Sequence, residues 1–199
     1  MNVIKWKNAL YLILGIATIV SLINWALSDK LFTLQFVIDC IGKSASVITI
    51  STWLFCYTLW KLPIFKNWLV LIPDLQGLWE GEIKSDWIDP IENIQKSPIA
   101  CNLLIHQSLF KTCCRIETKE SVSMSAMANF SINSDSRTCK IIFTYQNDPK
   151  QTIQNRSPIH FGTTVLDYAV KENERTLSGY YWTNRKTTGE LNFKFVEKY

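Results

Sequence analysis

The chain has 199 residues, 47% hydrophobic and 19% charged, which leaves room for one ordinary globular domain plus an apolar segment. A net charge of +4 is too small to point to a nucleic-acid polymer as partner. The six cysteines (Cys40, Cys56, Cys101, Cys113, Cys114, Cys139) form no CxxC pair and have no histidine at ligand spacing, which argues against zinc and for reduced thiols.

Ala9–Leu27 is a run of nineteen residues without a charge. As a helix it spans about 28 Å at ~1.5 Å per residue, close to the roughly 30 Å hydrocarbon core of a bilayer. Lys5 and Lys7 precede it, so a cleaved signal peptide is the rival reading. The length of the run and a second apolar segment close behind it favour a membrane span. Ser28, Asp29 and Lys30 are read as a tight turn, and the second span falls within about Leu31–Trp60. That span carries Gln35, Asp39, Lys43 and Ser46 at spacings of four, four and three, one stripe of a helix. Each charge costs on the order of 3 kcal/mol near a bilayer centre. The stripe is therefore either a snorkelled pair near one face, with Ala45–Trp60 as the true core, or a polar seam against another helix or a water-filled path. Trp53, Tyr57 and Trp60 read as an interfacial belt. Lysines flank both outer ends of the hairpin, at Lys5 and Lys7 and at Lys61 and Lys66, which predicts that both termini lie in the cytoplasm.

Residues 1–62 thus read as a two-helix transmembrane hairpin and 63–74 as a linker. Its apolar stretch, Trp68–Ile72, suits a bilayer surface or a cap on the next domain. From Leu75 to Tyr199 the pattern changes to short alternating runs. Strands are expected at roughly Leu78–Lys84, Ala100–Phe110, Thr112–Thr118, Val122–Ile132, Cys139–Gln146, Phe161–Val170, Thr176–Thr183 and Glu190–Val196. Turn signals such as Asn133-Ser134-Asp135 and Asn147-Asp148-Pro149 lie between them. Eight antiparallel strands in about 125 residues suggest an up-and-down barrel able to hold one small ligand, with a β-sandwich as the alternative. In the first strand Gly77, Trp79 and Gly81 share the inward face, and Glu80 and Glu82 the outward one.

The final hairpin is the most informative stretch. Leu177, Gly179, Tyr181, Thr183, Arg185 and Thr187 fall on one face if the alternation holds through the turn. That face begins apolar and ends in an aromatic ring, two hydroxyls and a guanidinium, as expected of a strand leaving a core at the mouth of a polar pocket. A surface hairpin with a solvated Arg is the plainer reading.

Catalysis finds little support. His106 and His160 have no Ser or Cys nucleophile motif around them, and there is no P-loop and no GxGxxG. His106 reads as a satisfied barrel residue. His160, following the loop Pro149–Pro158, is placed to close a barrel mouth.

Two N-terminal spans, the opening Gly77-x-Trp79-x-Gly81, His160-x-Gly162-Thr163 and the ending Leu177-x-Gly179-x-Tyr181-x-Thr183-x-Arg185-x-Thr187-x-Gly189 together resemble the membrane effectors of bacterial CBASS anti-phage systems. The family is the CD-NTase-associated, two-transmembrane β-barrel type. The resemblance covers nearly the whole chain. It implies two transmembrane helices followed by a compact, antiparallel eight-stranded β-barrel that binds a cyclic dinucleotide. It also implies ligand-driven homo-oligomerisation in the inner membrane and disruption of that bilayer, with no enzymatic step, metal or other cofactor. The residues then fall into roles: Tyr181 or Trp79 to stack a base, Arg185 to meet a phosphate, Thr183 and Thr187 to hydrogen-bond phosphate or base edges. Tyr145 and Asn147, at the end of their strand, are second-rank candidates. Two other classes stay open: a tethered carrier of an apolar ligand, which needs an interior apolar to the rim, and an adaptor recruiting a protein partner.

Overall fold

A computed structural model describes residues 3–27, 33–88, 97–133, 138–155 and 157–199. The expected turn at Ser28–Lys30, the start of the second span at Leu31 and the turn residues Ser134 and Asp135 lie outside the described residues. The chain divides into two compact units, one reaching to Leu71 and one running from Ile72 to Tyr199.

The first unit holds helices α1 (Trp6–Ala26) and α2 (Leu34–Tyr57). Both are long and apolar enough to cross a membrane. None of the α1 side chains is buried within the chain, so Leu10, Leu14, Leu22 and Ile23 leave their apolar surface exposed. Thr33 caps α2 by accepting from the Phe36 amide at 3.3 Å. The face of α2 that is buried carries Phe36, Cys40 and Ser44 at helical spacing. Across the hairpin Asn24 of α1 donates to Cys40 Sγ at 3.0 Å and accepts from Lys43 Nζ. Trp53 and Tyr57 stack at 5.7 Å on the exposed side of α2. Trp60 departs from the expected belt: the helix ends at Tyr57 and Trp60 turns inward to 2% exposure. Residues 69–71 pair with the N-terminal segment, Lys5 N donating to Leu69 O and Leu71 N to Val3 O, each at 2.9 Å.

The second unit is a closed barrel of eight strands: β1 (Gly77–Ser85), β2 (Ile99–Gln107), β3 (Thr112–Thr118), β4 (Ser121–Asn133), β5 (Thr138–Pro149), β6 (His160–Lys171), β7 (Glu174–Thr183) and β8 (Thr188–Glu197). Sequence neighbours pair antiparallel and β8 pairs back to β1. Closure leaves the sheet no free lateral edge, and it settles the barrel against the sandwich. The strand β2 stops at Gln107, short of the expected Phe110, because Ser108 N donates to Lys111 O at 2.8 Å and turns the chain. Leu109 in that turn is buried at 1% exposure.

One end of the barrel is packed shut. Trp79, Phe193, Leu177, Leu103 and Ile105 fill it. Trp79 Nε1 donates to Leu75 O at 3.0 Å, and the Gln107 side chain accepts from Leu75 N at 2.7 Å and donates to Pro73 O at 2.9 Å. These bonds satisfy the polar groups that the incoming chain buries. Gly77 adopts φ 140°, and a Cβ there would lie 2.3 Å from Glu197 O. Glycine is required where β1 shifts register to meet β8 between Leu78 and Trp79.

Candidate ligand-binding cavity

At the other end of the barrel the described residues enclose a cavity. Period-2 alternation carries polar residues from five strands onto the inner wall there, beyond the point where apolar side chains fill the space. The resulting cavity measures 880 Å³ and is lined by Ser85, Ser123, Tyr145, Asn147, Ser157, His160, Thr164, Tyr181, Thr183, Arg185 and Thr187, with Ile83, Ile99, Ile116 and Leu191 toward its floor and sides. Small-molecule sites run from about 300 to 1,000 Å³. The volume therefore suits one ligand of drug size or larger.

The turn after β7 is built around one hydroxyl. Thr183 Oγ1 accepts from Arg185 N at 3.2 Å and Thr187 N at 3.4 Å, and it meets Thr187 Oγ1 at 2.7 Å. Lys186 takes φ 62° to complete the turn. The inward alternation thereby survives through Arg185 and Thr187. Arg185 Nη1 donates to Ser157 Oγ at 3.0 Å, engaging one of the five N–H donors of its guanidinium. Asp86 ties the far side of the hairpin to the end of β1 by accepting from Thr188 N at 2.8 Å. Bonds from the Thr188 side chain and backbone hold the Asp86 carboxyl below its ordinary value.

Two tyrosines line the cavity from β5 and β7, the strands on either side of β6, each over a cross-strand glycine. Tyr145 pairs with Gly162, where a Cβ would lie 2.4 Å from its hydroxyl, and Tyr181 pairs with Gly189, where a Cβ would lie 2.7 Å from Cε1 of its ring. A larger residue at either position would displace the ring. Burial pushes both phenols up, and Ser85 partly offsets this at Tyr181 by hydrogen bonding to it. Both therefore remain neutral donors near neutral pH. Asn147 is buried and accepts from Ser123 Oγ at 2.8 Å. His160 Nδ1 lies 3.0 Å from Pro158 O; a carbonyl only accepts, so Nδ1 carries the proton. Burial lowers the His160 pKa from 6.5, and the Arg185 charge lowers it further against the opposing Pro158 bond. Among the described lining residues the charged groups are Arg185, Lys119 and Glu120, with the Asp86 carboxylate close enough to act on Tyr181. The Arg185 guanidinium offers donors to an anionic group, and the rings of Tyr145 and Tyr181 offer faces on which a flat group can stack.

Six of the seven residues expected at a ligand site line this single cavity: Tyr145, Asn147, Tyr181, Thr183, Arg185 and Thr187. Trp79 does not. It is 0% exposed, it meets Phe195 edge-on at 5.2 Å and Tyr168 at 6.5 Å, and its indole proton is already bonded to Leu75. It belongs to the packed end, six residues or about 20 Å along β1 from Ser85 at ~3.3 Å per residue. Sequence reasoning did not single out Ser123, Ser157 or Thr164. Ser123 and Thr164 had a signal in strand parity; Ser157 had none. His106 lies on the outer face, edge-on to Tyr199 at 4.9 Å.

Two membrane-capable helices joined to a closed β-barrel with a polar cavity at one end define a receptor-like class. No group of three or more metal-ligating side chains occurs among the described residues. Residues 70–195 match the family model described as Cap15, cyclic dinucleotide receptor domain. A curated relative named CD-NTase-associated protein 15, from Staphylococcus schleiferi, is 28% identical over 157 residues, covering 79% of this chain and 79% of that protein. The chain belongs to the Cap15 family of CBASS effectors.

Proposed function

We propose that the cavity at this end of the barrel receives a cyclic dinucleotide, and that its binding drives self-assembly of the chain and disruption of the inner membrane. The observation that carries the first half is the convergence of Tyr145, Asn147, Tyr181, Thr183, Arg185 and Thr187 on one 880 Å³ cavity. Tyr181 offers a ring face to a base. Arg185 meets a phosphate, and Thr183, Thr187 and Asn147 bond phosphate or base edges. A carrier of apolar ligands has no use for that rim. The chain belongs to a receptor family rather than an enzyme family, and no catalytic step is invoked.

Two spans cannot enclose an aqueous path, so damage to a bilayer needs several copies. Gln35, Lys43 and Ser46 are exposed on α2 beside the buried row Phe36, Cys40 and Ser44, and Asp39 is half-buried. In the assembly this polar stripe faces other copies rather than lipid, with both termini and the barrel in the cytoplasm. A ligand that favours the assembled state 100-fold supplies about 2.7 kcal/mol per chain. The full-length protein in liposomes should stay silent alone and release dye when its cyclic dinucleotide is added. Full release at low protein density without nucleotide removes the gating half. Failure to bind any member of a cyclic dinucleotide panel removes the receptor half. Replacing Asp39 and Lys43 with Leu should improve insertion and abolish release, and undiminished release would free the stripe of any role in assembly.

A further inference from the structure

Thr164 differs from the other hydroxyls of the cavity. Its Oγ1 is buried without a hydrogen-bond partner among the described residues, while the residue itself is 0% exposed and lines the cavity. Thr183, Thr187, Ser123 and Ser157 all have partners. A shielded, unpaired hydroxyl destabilises a fold, and Val has nearly the same shape without that cost. A residue kept only for packing would not need the oxygen.

The register says what the oxygen can reach. Thr164 stands directly opposite Phe143 on β5 and Tyr181 on β7. It is also the third member of the inward row His160, Gly162, Thr164. It lies four positions along the strand from His160, about 13 Å at ~3.3 Å per residue. A nucleoside whose phosphate meets Arg185 at the rim spans that depth with its base. Tyr145 lies over Gly162, the next inward residue up the row, and Tyr181 flanks the other side over Gly189. A planar base that slides between these two rings carries its edge toward Thr164.

Building on the cyclic-dinucleotide reading above, we infer that Thr164 is a further ligand-binding residue, its hydroxyl bonding the edge of the more deeply inserted base and adding affinity there. The hydroxyl both donates and accepts. It therefore rewards any base that presents a polar edge at this depth and leaves a rim-bound base unaffected. Ligand binding would then supply a partner to a hydroxyl that no described protein group bonds.

The test uses the full-length chain in detergent micelles, titrated calorimetrically with cyclic di-AMP, cyclic di-GMP and cyclic GMP–AMP, alongside unliganded unfolding midpoints. Thr164→Val should be at least as stable as wild type without ligand and bind the best of the three about tenfold more weakly, or about 1.4 kcal/mol. Thr164→Ser, which keeps the oxygen, should stay within about threefold. Thr164→Ala gives the same tenfold loss should the Val variant not fold. A Thr164→Val protein that binds as tightly as wild type while Arg185→Ala is weakened overturns this inference and leaves the receptor reading standing. A Val variant that is less stable yet binds normally overturns it as well, and identifies a hydroxyl held by a buried water. Wild type that binds none of the three nucleotides overturns both readings together.

Discussion

Arg175 and Arg185 belong to the same inward-facing row, ten residues apart, and their surroundings give them opposite work. The Arg175 guanidinium sits 4.0 Å from the Phe195 ring centroid and 5.3 Å from that of Trp79, and it donates to Asp74 O. Its charge is spent on rings and a carbonyl at the shut end. Arg185 touches Ser157, lies beside His160 and opens on the cavity. Trp79 and Tyr181 repeat the contrast between aromatic residues. The first is walled in with its indole proton bonded, and the second is half-buried along a cavity wall. Parity alone selects the inner face of a barrel. Depth along its axis decides whether an inward residue packs or binds.

The largest effect expected from this contrast is at the shut end. Trp79→Ala removes a fully buried ring and should cost about 3–5 kcal/mol of stability, read as a lowered unfolding midpoint. Tyr181→Ala should change that midpoint far less and weaken nucleotide binding instead. The contrast breaks if Trp79→Phe binds poorly while unfolding like wild type.

The two arginines provide the next comparison. Hydrogen bonds to charged groups are worth about 1.5–3 kcal/mol. Arg185→Ala should therefore weaken binding by roughly ten- to a hundredfold in a barrel of nearly normal stability. Arg175→Ala should leave affinity unchanged and lose about 0.5–2 kcal/mol of stability through its ring contacts. Calorimetry on both proteins checks the pair, and equal affinity losses would mean that depth does not separate them.

The smallest expected effect is a pH dependence from His160. Its folded pKa lies below the ordinary 6.5 because burial disfavours the charged ring and Arg185 repels it. Its contribution to stability is thus fully present above about pH 6.5 and is lost as pH falls through the lower folded value. A bound phosphate has the opposite influence and favours the imidazolium. Nucleotide affinity should therefore rise, by no more than several-fold, as pH is lowered from 7.5 to 6. His160→Gln should flatten both profiles. An affinity that is flat with pH in wild type would place His160 away from the ligand's charge.

The sequence by itself determined the element plan and the inner face. Eight alternating runs became eight strands, and Leu177 through Thr187 kept one face because Thr183 braces the turn that might have broken it. The apolar runs became two helices, the first from nineteen uncharged residues and the second from a run holding two charges, Asp39 and Lys43. These properties are local, written in period and composition. Tertiary structure decided what depends on distance between elements. It buried Trp79 at the shut end, drew Asn24 to Cys40 and Lys43, turned Trp60 inward and brought Ser157 to Arg185. Strand parity already separates Thr164 from Thr163, but only pairing with Phe143 and Tyr181 left the Thr164 hydroxyl buried. Periodicity specifies direction along one strand. Position within the barrel comes from strand register and closure, which no single segment encodes.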